Sequence, residues 1–209
     1  MGVKDCGHHE NKKKKLLIKI GLGILALLIL IGLIILIIWA VLRPIKPKFV
    51  IQDATLYNFN LTSPTELNSV FQITVQSRNP NDKVGIYYDR LISYATYQNQ
   101  QITLPTAIPP TYQDSKEINV WSPYLQGPSV PIAPYLCTAI NQDIAMGSVQ
   151  LVIKMDGRLR FKFGSFVSGT YRIHVNCNAF IPIGNTEAGI YVSRNVIKYT
   201  LFKSCDVSV

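Results

Sequence analysis

The sequence predicts an all-β sandwich with one short helix, preceded by a single transmembrane helix. Three observations carry that expectation: an uncharged apolar run of 23 residues near the N-terminus, a series of period-2 alternations separated by turn residues, and one isolated helical pattern among them. The charge distribution divides the chain the same way. Of the 21 Lys+Arg and 12 Asp+Glu in 209 residues, nine bases and two acids lie in residues 1–48, a net +7; twelve bases and ten acids, a net +2, lie in residues 49–209. The overall +9 is therefore not that of a basic, groove-tracking domain, and no nucleic-acid partner is expected.

The uncharged run occupies residues 20–42. As a helix it is roughly 34 Å long against a hydrocarbon core of about 30 Å, enough to span with modest tilt. It is longer than the ~7–15-residue apolar stretch of a cleaved signal peptide. It ends Trp39-Ala40-Val41-Leu42-Arg43-Pro44, without a small-residue cleavage site. Six bases precede it and three follow, with Lys12, Lys13, Lys14 and Lys15 beside the membrane, so the N-terminus is expected to stay cytoplasmic. That makes a type II single-pass protein: a basic cytoplasmic tail (1–19), the span (20–42), a short stiff spacer begun by Pro44 and Pro47 (43–48), and an exoplasmic domain (49–209). Gly21, Gly23, Ala26 and Gly32 never stand four residues from another small residue, so the span reads as a simple anchor. The tail reads as disordered. Gly2 begins a myristoylation pattern that fails at Cys6, where Ser or Thr is required, and Cys6 is expected to be an ordinary reduced thiol rather than an acylation site. Cys6, His8 and His9 lack a second ligand pair, so no metal is expected there.

Beyond the spacer, Phe71-Ile73-Val75, Ile92-Tyr94, Val149-Leu151-Ile153, Tyr171-Ile173-Val175-Cys177 and Ile197-Tyr199-Leu201 alternate with polar residues, each a strand with one wet face. Turn residues lie at 78–83, 99–101, 156–157 and 184–185. Asp156-Gly157 reads as a hairpin joining strands 148–155 and 158–163. The proline-rich stretch 105–112 reads as loop or sheet edge, because proline cannot donate to a central ladder. Pro134 opens one helix with Leu136, Ile140 and Ile144 on a single face and Gly147 as its end. Seven to nine short strands with one connecting helix argue for a sandwich of immunoglobulin or fibronectin III type, without the Trp and paired-Cys framework of antibody domains.

Three cysteines fall in the exoplasmic part, so at most one intrachain disulfide forms there. Cys177 and Cys205 both end strand-like alternations, and their pairing is favoured over two free buried thiols, with Cys137 left over. Asn60-Leu61-Thr62 is the one N-x-S/T sequon; on the exoplasmic side Asn60 is a candidate glycosylation site.

Catalytic patterns are missing. His174 is the single histidine of the exoplasmic domain, no G-x-S-x-G elbow occurs, and no cysteine sits in a nucleophile setting. No zinc ligand cluster or phosphate-cradling loop is present, and residues 79–85 lack the acidic first position and terminal Glu of a calcium loop. No enzyme activity, metal or cofactor is expected. One concentration of charge remains: Lys154, Arg158, Arg160, Lys162 and Arg172, with Arg158, Arg160 and Lys162 on one face of a strand and Leu159, Phe161 and Phe163 on the other. It is a candidate stripe for a polyanion, such as acidic wall polysaccharide or lipid headgroups. A solvated face whose like charges resist edge pairing is the favoured reading.

Four segments resemble one family. Residues 79–89 (NPNDKVGIYYD), 108–113 (IPPTYQ), 120–123 (VWSP) and 157–164 (GRLRFKFG), with the basic tail, the span and the closing Cys205-Asp206-Val207, resemble the plant harpin-induced-like and non-race-specific disease resistance-like proteins, which carry a late embryogenesis abundant group 2 domain. Members often have Trp where Phe161 stands. The resemblance covers essentially the whole chain. It implies a plasma-membrane protein of pathogen defence and the hypersensitive response, an exoplasmic immunoglobulin- or fibronectin-like sandwich, and no catalytic residues. Asn79-Pro80-Asn81 reads as a structural turn, since Pro80 biases Asn79 toward extended backbone and both amides bond nearby main chain. The expected function is a non-enzymatic adaptor contacting a protein or cell-wall partner; the alternative is a module for lipid or another apolar ligand, supplied with Tyr87, Tyr88, Tyr94, Tyr97, Phe161 and Phe163.

Overall fold

The computed structural model describes residues 8–41, 44–183, 189–193 and 196–209. It falls into two compact units, Met1–Arg43 and Pro44–Val209. The first is one helix, α1 (His8–Val41), whose stretch Lys15–Leu36 has a mean hydropathy of 2.8 and exposes its Leu and Ile side chains on every side. A helix apolar all round needs a surrounding apolar phase. The helix starts twelve residues before the uncharged run, so the tail from His8 onward is not the disordered segment expected from its polarity. Lysine is a good helix former, so helical hydrogen bonding propagates back from the apolar turns into the basic block.

The second unit is built of antiparallel strands: β1 (Lys48–Ser63), β2 (Glu66–Arg78), β3 (Val84–Tyr97), β4 (Gln100–Gln101), β5 (Thr106–Ile108), β6 (Thr111–Gln113), β7 (Ile118–Trp121), β8 (Tyr124–Pro131), β9 (Ser148–Phe163), β10 (Phe166–Val167), β11 (Tyr171–Pro182), β12 (Ile190–Ser193), β13 (Val196–Ser204) and β14 (Asp206–Ser208). A six-stranded sheet runs β12-β13-β1-β2-β7, with β8 also on β2; an eight-stranded sheet runs β14-β11-β9-β3-β4, with β5 and β6 on β3 and β10 on β9. Both inward faces feed one core. Phe49, Phe71 and Val75 come from one sheet, Ile86, Tyr88, Leu159 and Val175 from the other. Phe49 stacks on Trp121 at 6.2 Å, and Tyr88 meets both rings edge-on at 6.3 and 5.3 Å, an aromatic joint across the seam.

Among the described residues fourteen strands, five of them 12 to 16 residues long, replace the seven to nine short ones expected. The largest difference is at Asp156-Gly157. It is no hairpin: β9 runs straight through it from Ser148 to Phe163. Gly157 faces inward opposite Leu91 and Ile173, and a Cβ there would overlap the Arg90 carbonyl oxygen, so glycine serves a close approach of backbones rather than a turn. The approach comes from a bulge in β3, where the register steps from Tyr88↔Leu159 to Arg90↔Arg158 and leaves Asp89 extra. Likewise β11 does not end at Cys177, because Ala179 and Ile181 continue its buried alternation to Pro182.

Other expectations meet the structure directly. The proline-rich stretch supplies the short edge strands β5 and β6. The predicted helix is α2 (Pro134–Ala145), with proline in its first turn, Leu136, Cys137 and Ile140 buried, and Gly147 at φ +77° past its end. Gln98 and Asn99, both at positive φ, make the tight turn before β4. The turn expected at 184–185 lies outside the described residues.

Candidate functional site

The family-like segments meet at two places, one inside the seam and one on the outer face of the eight-stranded sheet. Inside, Asn79 is fully buried. Its amide nitrogen donates to the carbonyls of Val84 (2.7 Å) and Asp114 (2.9 Å), and its Oδ1 accepts from the backbone and side-chain nitrogens of Asn81 at 3.1 and 2.8 Å. Asn81 in turn holds Ile45 by a reciprocal pair, Nδ2 donating to the Ile45 carbonyl and Oδ1 accepting the Ile45 N–H, both 2.8 Å. Pro80 lies between them, and its carbonyl accepts from Lys116. Asn79-Pro80-Asn81 is thus a corner that fastens the chain entering β1. Nearby, Tyr88 donates to Gln113 Oε1 (2.9 Å) and stands 2.9 Å from Ser77 Oγ, while Gln113 Nε2 donates to the Ser77 carbonyl. Burial pushes the Tyr88 phenol far above its ordinary range, so it stays a neutral brace between the sheets.

Outside, β9 presents Lys154, Arg158, Arg160 and Lys162, and β11 places Arg172 directly opposite Arg158. Sequence reasoning missed a sixth base. The β3 bulge turns Arg90 outward and sets it opposite Arg158 from the other side, so Arg90, Arg158 and Arg172 form one row across three strands. Inward residues of β3 are even-numbered at Ile86 and Tyr88 and odd-numbered from Leu91 onward, the mark of an inserted residue, so the alternation expected at Ile92-Tyr94 is inverted: Ser93 is buried, and Ile92 and Tyr94 face outward. The neighbouring acids are already engaged. Asp89 takes both forks of Arg160 at 2.7 and 2.6 Å, which raises the guanidinium pKa; Asp156 accepts from the Tyr94 hydroxyl at 2.7 Å and pairs with His174 Nδ1 at 2.6 Å. Among the described residues no carboxylate lies within ion-pair distance of the three row arginines. Beside the row, Tyr87 and Tyr112 pack at 4.6 Å, with Arg160 over one ring at 5.5 Å and Lys162 over the other at 5.1 Å. Gly85 lies beneath Tyr112, where a Cβ would overlap the phenol.

The remaining sites are scattered. Asn60 is exposed near the end of β1, before the turn into β2. Cys177 and Cys205 form a disulfide with Cα atoms 4.3 Å apart, tying β11 to the junction of β13 and β14; its 28-residue separation corresponds to about 3 to 4 kcal/mol in the chain-entropy model. Cys137 is a buried free thiol. Gly2 and Cys6 lie outside the described residues. His174 has Asp156 as its partner, and no hydroxyl or thiol among the described residues is hydrogen-bonded to its ring. A half-open depression of about 600 Å³ lies beside α2, lined by Tyr97, Gln98, Asp143, Gln150 and Phe180. The Tyr97 hydroxyl there donates to Asp143 (2.8 Å), and desolvation together with that carboxylate pushes its pKa up to about 12.

Residues 74–179 match the family model described as "Late embryogenesis abundant protein" (LEA_2). The NDR1/HIN1-like protein 1 of Arabidopsis thaliana is 51% identical over 99% of this chain and 100% of its own length. The chain belongs to the NDR1/HIN1-like family and carries a LEA_2 domain. The same plant's NDR1/HIN1-like protein 12 is 50% identical over the full length of both, and its NDR1/HIN1-like protein 26 is 43% identical over 84% of this chain and 81% of its own. Among solved structures, a protein from Archaeoglobus fulgidus matches with a TM-score of 0.28 and 11% identity, covering 65% of this chain and 96% of that one, a superposition too loose to carry any argument. The LEA_2 match takes in the Asn79–Asn81 corner, Gln113, Trp121, and both flanks of the arginine row.

Proposed function

We propose that the chain is a non-enzymatic, single-pass plasma-membrane protein of plant defence against pathogens, acting in the hypersensitive response through its β domain outside the cell. The observation that carries this reading is similarity to NDR1/HIN1-like proteins along the entire chain, apolar helix included. The flanking charges support a type II orientation, with the Lys12–Lys15 block cytoplasmic and the domain exposed. In that orientation Asn60 faces the glycosylating compartment, and the Cys177–Cys205 disulfide suits an oxidising one. Two antiparallel sheets on one core support an immunoglobulin- or fibronectin III-like sandwich as the interaction domain.

Protease treatment of sealed microsomes tests the orientation: a C-terminal tag protected until detergent is added agrees with it, and a digestible one overturns it. Proximity labelling from the C-terminal domain before and after elicitor treatment tests the role. Surface or wall proteins that change with elicitor are expected, and an unchanged labelling profile would sink a defence-linked contact function. The alternative of an apolar-ligand module draws less support, because Tyr88 and Phe161 are core and the depression beside α2 is half open, with Gln98, Asp143 and Gln150 among its lining.

A further inference from the structure

From the row Arg90–Arg158–Arg172 we infer that the outer face of the eight-stranded sheet binds a linear polyuronate, a polysaccharide with one carboxylate per sugar ring. The inference rests on the exoplasmic placement proposed above only for access to such a polymer; the binding chemistry stands on the face itself. Like charges directly opposite one another in a sheet repel, so three arginines in register work against the fold unless an anion sits over them. The chain supplies none among its described residues, since Asp89 is held by Arg160 and Asp156 by Tyr94 and His174. Charge complementarity therefore calls for an external anion.

Three features choose the polymer. The row crosses three neighbouring strands at about 4.7 to 4.9 Å per strand, so its charges lie along a line rather than around a point, as the carboxylates of a linear polymer do. Guanidinium groups match carboxylates as two-pronged donors, where lysines would act only as point charges. Tyr87 and Tyr112 flank the row as a packed aromatic pair, and Lys162, held over the Tyr112 ring, carries the cationic line past the row. The face is a pleated surface rather than a pocket, which suits an extended polymer over an isolated small anion. A bilayer is the competing occupant. Docking to lipid sets basic residues beside apolar side chains that insert, and the neighbours of the row on this face are Tyr87, Tyr94, His174 and Asn176 with one aliphatic side chain, Ile92, itself half-buried. Phe166 is exposed at the hairpin end beyond Lys162, and for that reason the test includes anionic vesicles.

The full chain in phosphatidylcholine nanodiscs is titrated with fluorescent polygalacturonate, with its fully methyl-esterified form, and with phosphatidylserine vesicles. Binding of polygalacturonate that weakens with salt is expected, with none of the esterified polymer. Arg90→Gln/Arg158→Gln/Arg172→Gln is expected to weaken it about tenfold or more. Lys48→Gln/Arg78→Gln/Lys203→Gln removes equal charge from the other sheet and is expected to change it less than about twofold. An unchanged denaturation midpoint shows that each variant is folded, and the three single arginine substitutions replace the triple one if it is not. Absence of polygalacturonate binding overturns the inference. So do equal binding of the esterified polymer, equal loss in both triple variants, or arginine-dependent capture of vesicles in place of the polymer. Each outcome is independent of the microsome assay, so orientation and ligand fail separately.

Discussion

The seam between the two sheets and the outer face of the eight-stranded sheet draw on the same short segments of sequence and use them oppositely. Residues 79–89 send Asn79, Ile86 and Tyr88 inward, where every polar atom named above is matched by a partner, and send Tyr87 and Asp89 outward. Residues 157–164 do the same, with Leu159 and Phe161 in the core and Arg158, Arg160 and Lys162 on the surface. At the Asn79–Asn81 corner and the Tyr88 brace the seam is electrostatically closed. The face is open, with three arginines lacking a carboxylate among the described residues. Segments that identify a family therefore need not mark its binding site: half of each builds the fold, and only the outward half is available to a partner.

Substitutions on the two sides separate these roles. The largest effect is expected at Asn79→Ala, which strands the Val84 and Asp114 carbonyls and the Asn81 N–H in the interior; a loss of about 3 to 4 kcal/mol by urea denaturation is expected. Gly157→Ala is next, at about 1 to 3 kcal/mol, because the added methyl must displace the backbone at Arg90. The same change is expected to weaken the arginine row by shifting β3 against β9, so a stable Gly157→Ala protein would remove the close approach as an explanation for this glycine.

A smaller effect belongs to Tyr94, on the outer face. Desolvation and the Asp156 carboxylate push its phenol up to about 12 from an ordinary 10. A pKa higher in the folded protein means the neutral phenol is favoured there, so its contribution is complete below pH 10 and is lost as pH rises toward 12. Stability measured across that window is expected to fall less steeply in Tyr94→Phe than in the parent, and identical slopes would discount the Tyr94–Asp156 contact. Smallest of all is Asp89→Asn. It loosens Arg160 on an exposed surface, and no measurable change in the denaturation midpoint is expected. A loss comparable to that of Asn79→Ala would erase the distinction between seam and face.

Much of this was readable beforehand where local periodicity decides the outcome. Alternation placed the cores of β2, β9, β11 and β13, and Pro134 with Gly147 bounded α2. Asp156-Gly157 misled because a dipeptide is the same string in a hairpin as beneath a bulge. The distinction lies in β3, more than sixty residues away in sequence, whose extra residue Asp89 brings its backbone over Gly157. The basic strand was visible but the row was not, since Arg90 joins it only through long-range register. Gln113 and Trp121 lay in recognised segments, yet their part in the seam depends on Tyr88 and Phe49 arriving from other strands.

The reciprocal hydrogen bonds between Ile45 and Asn81 have a mechanical consequence. β1 begins three residues later and is laddered on both sides, by β2 and β13. Tension drawn along the main chain at Pro44 reaches the Asn79–Asn81 corner first, and then loads two ladders lengthwise, where many bonds must yield together rather than one at a time. A pull at the N-terminal end of the domain therefore meets bonds loaded in parallel.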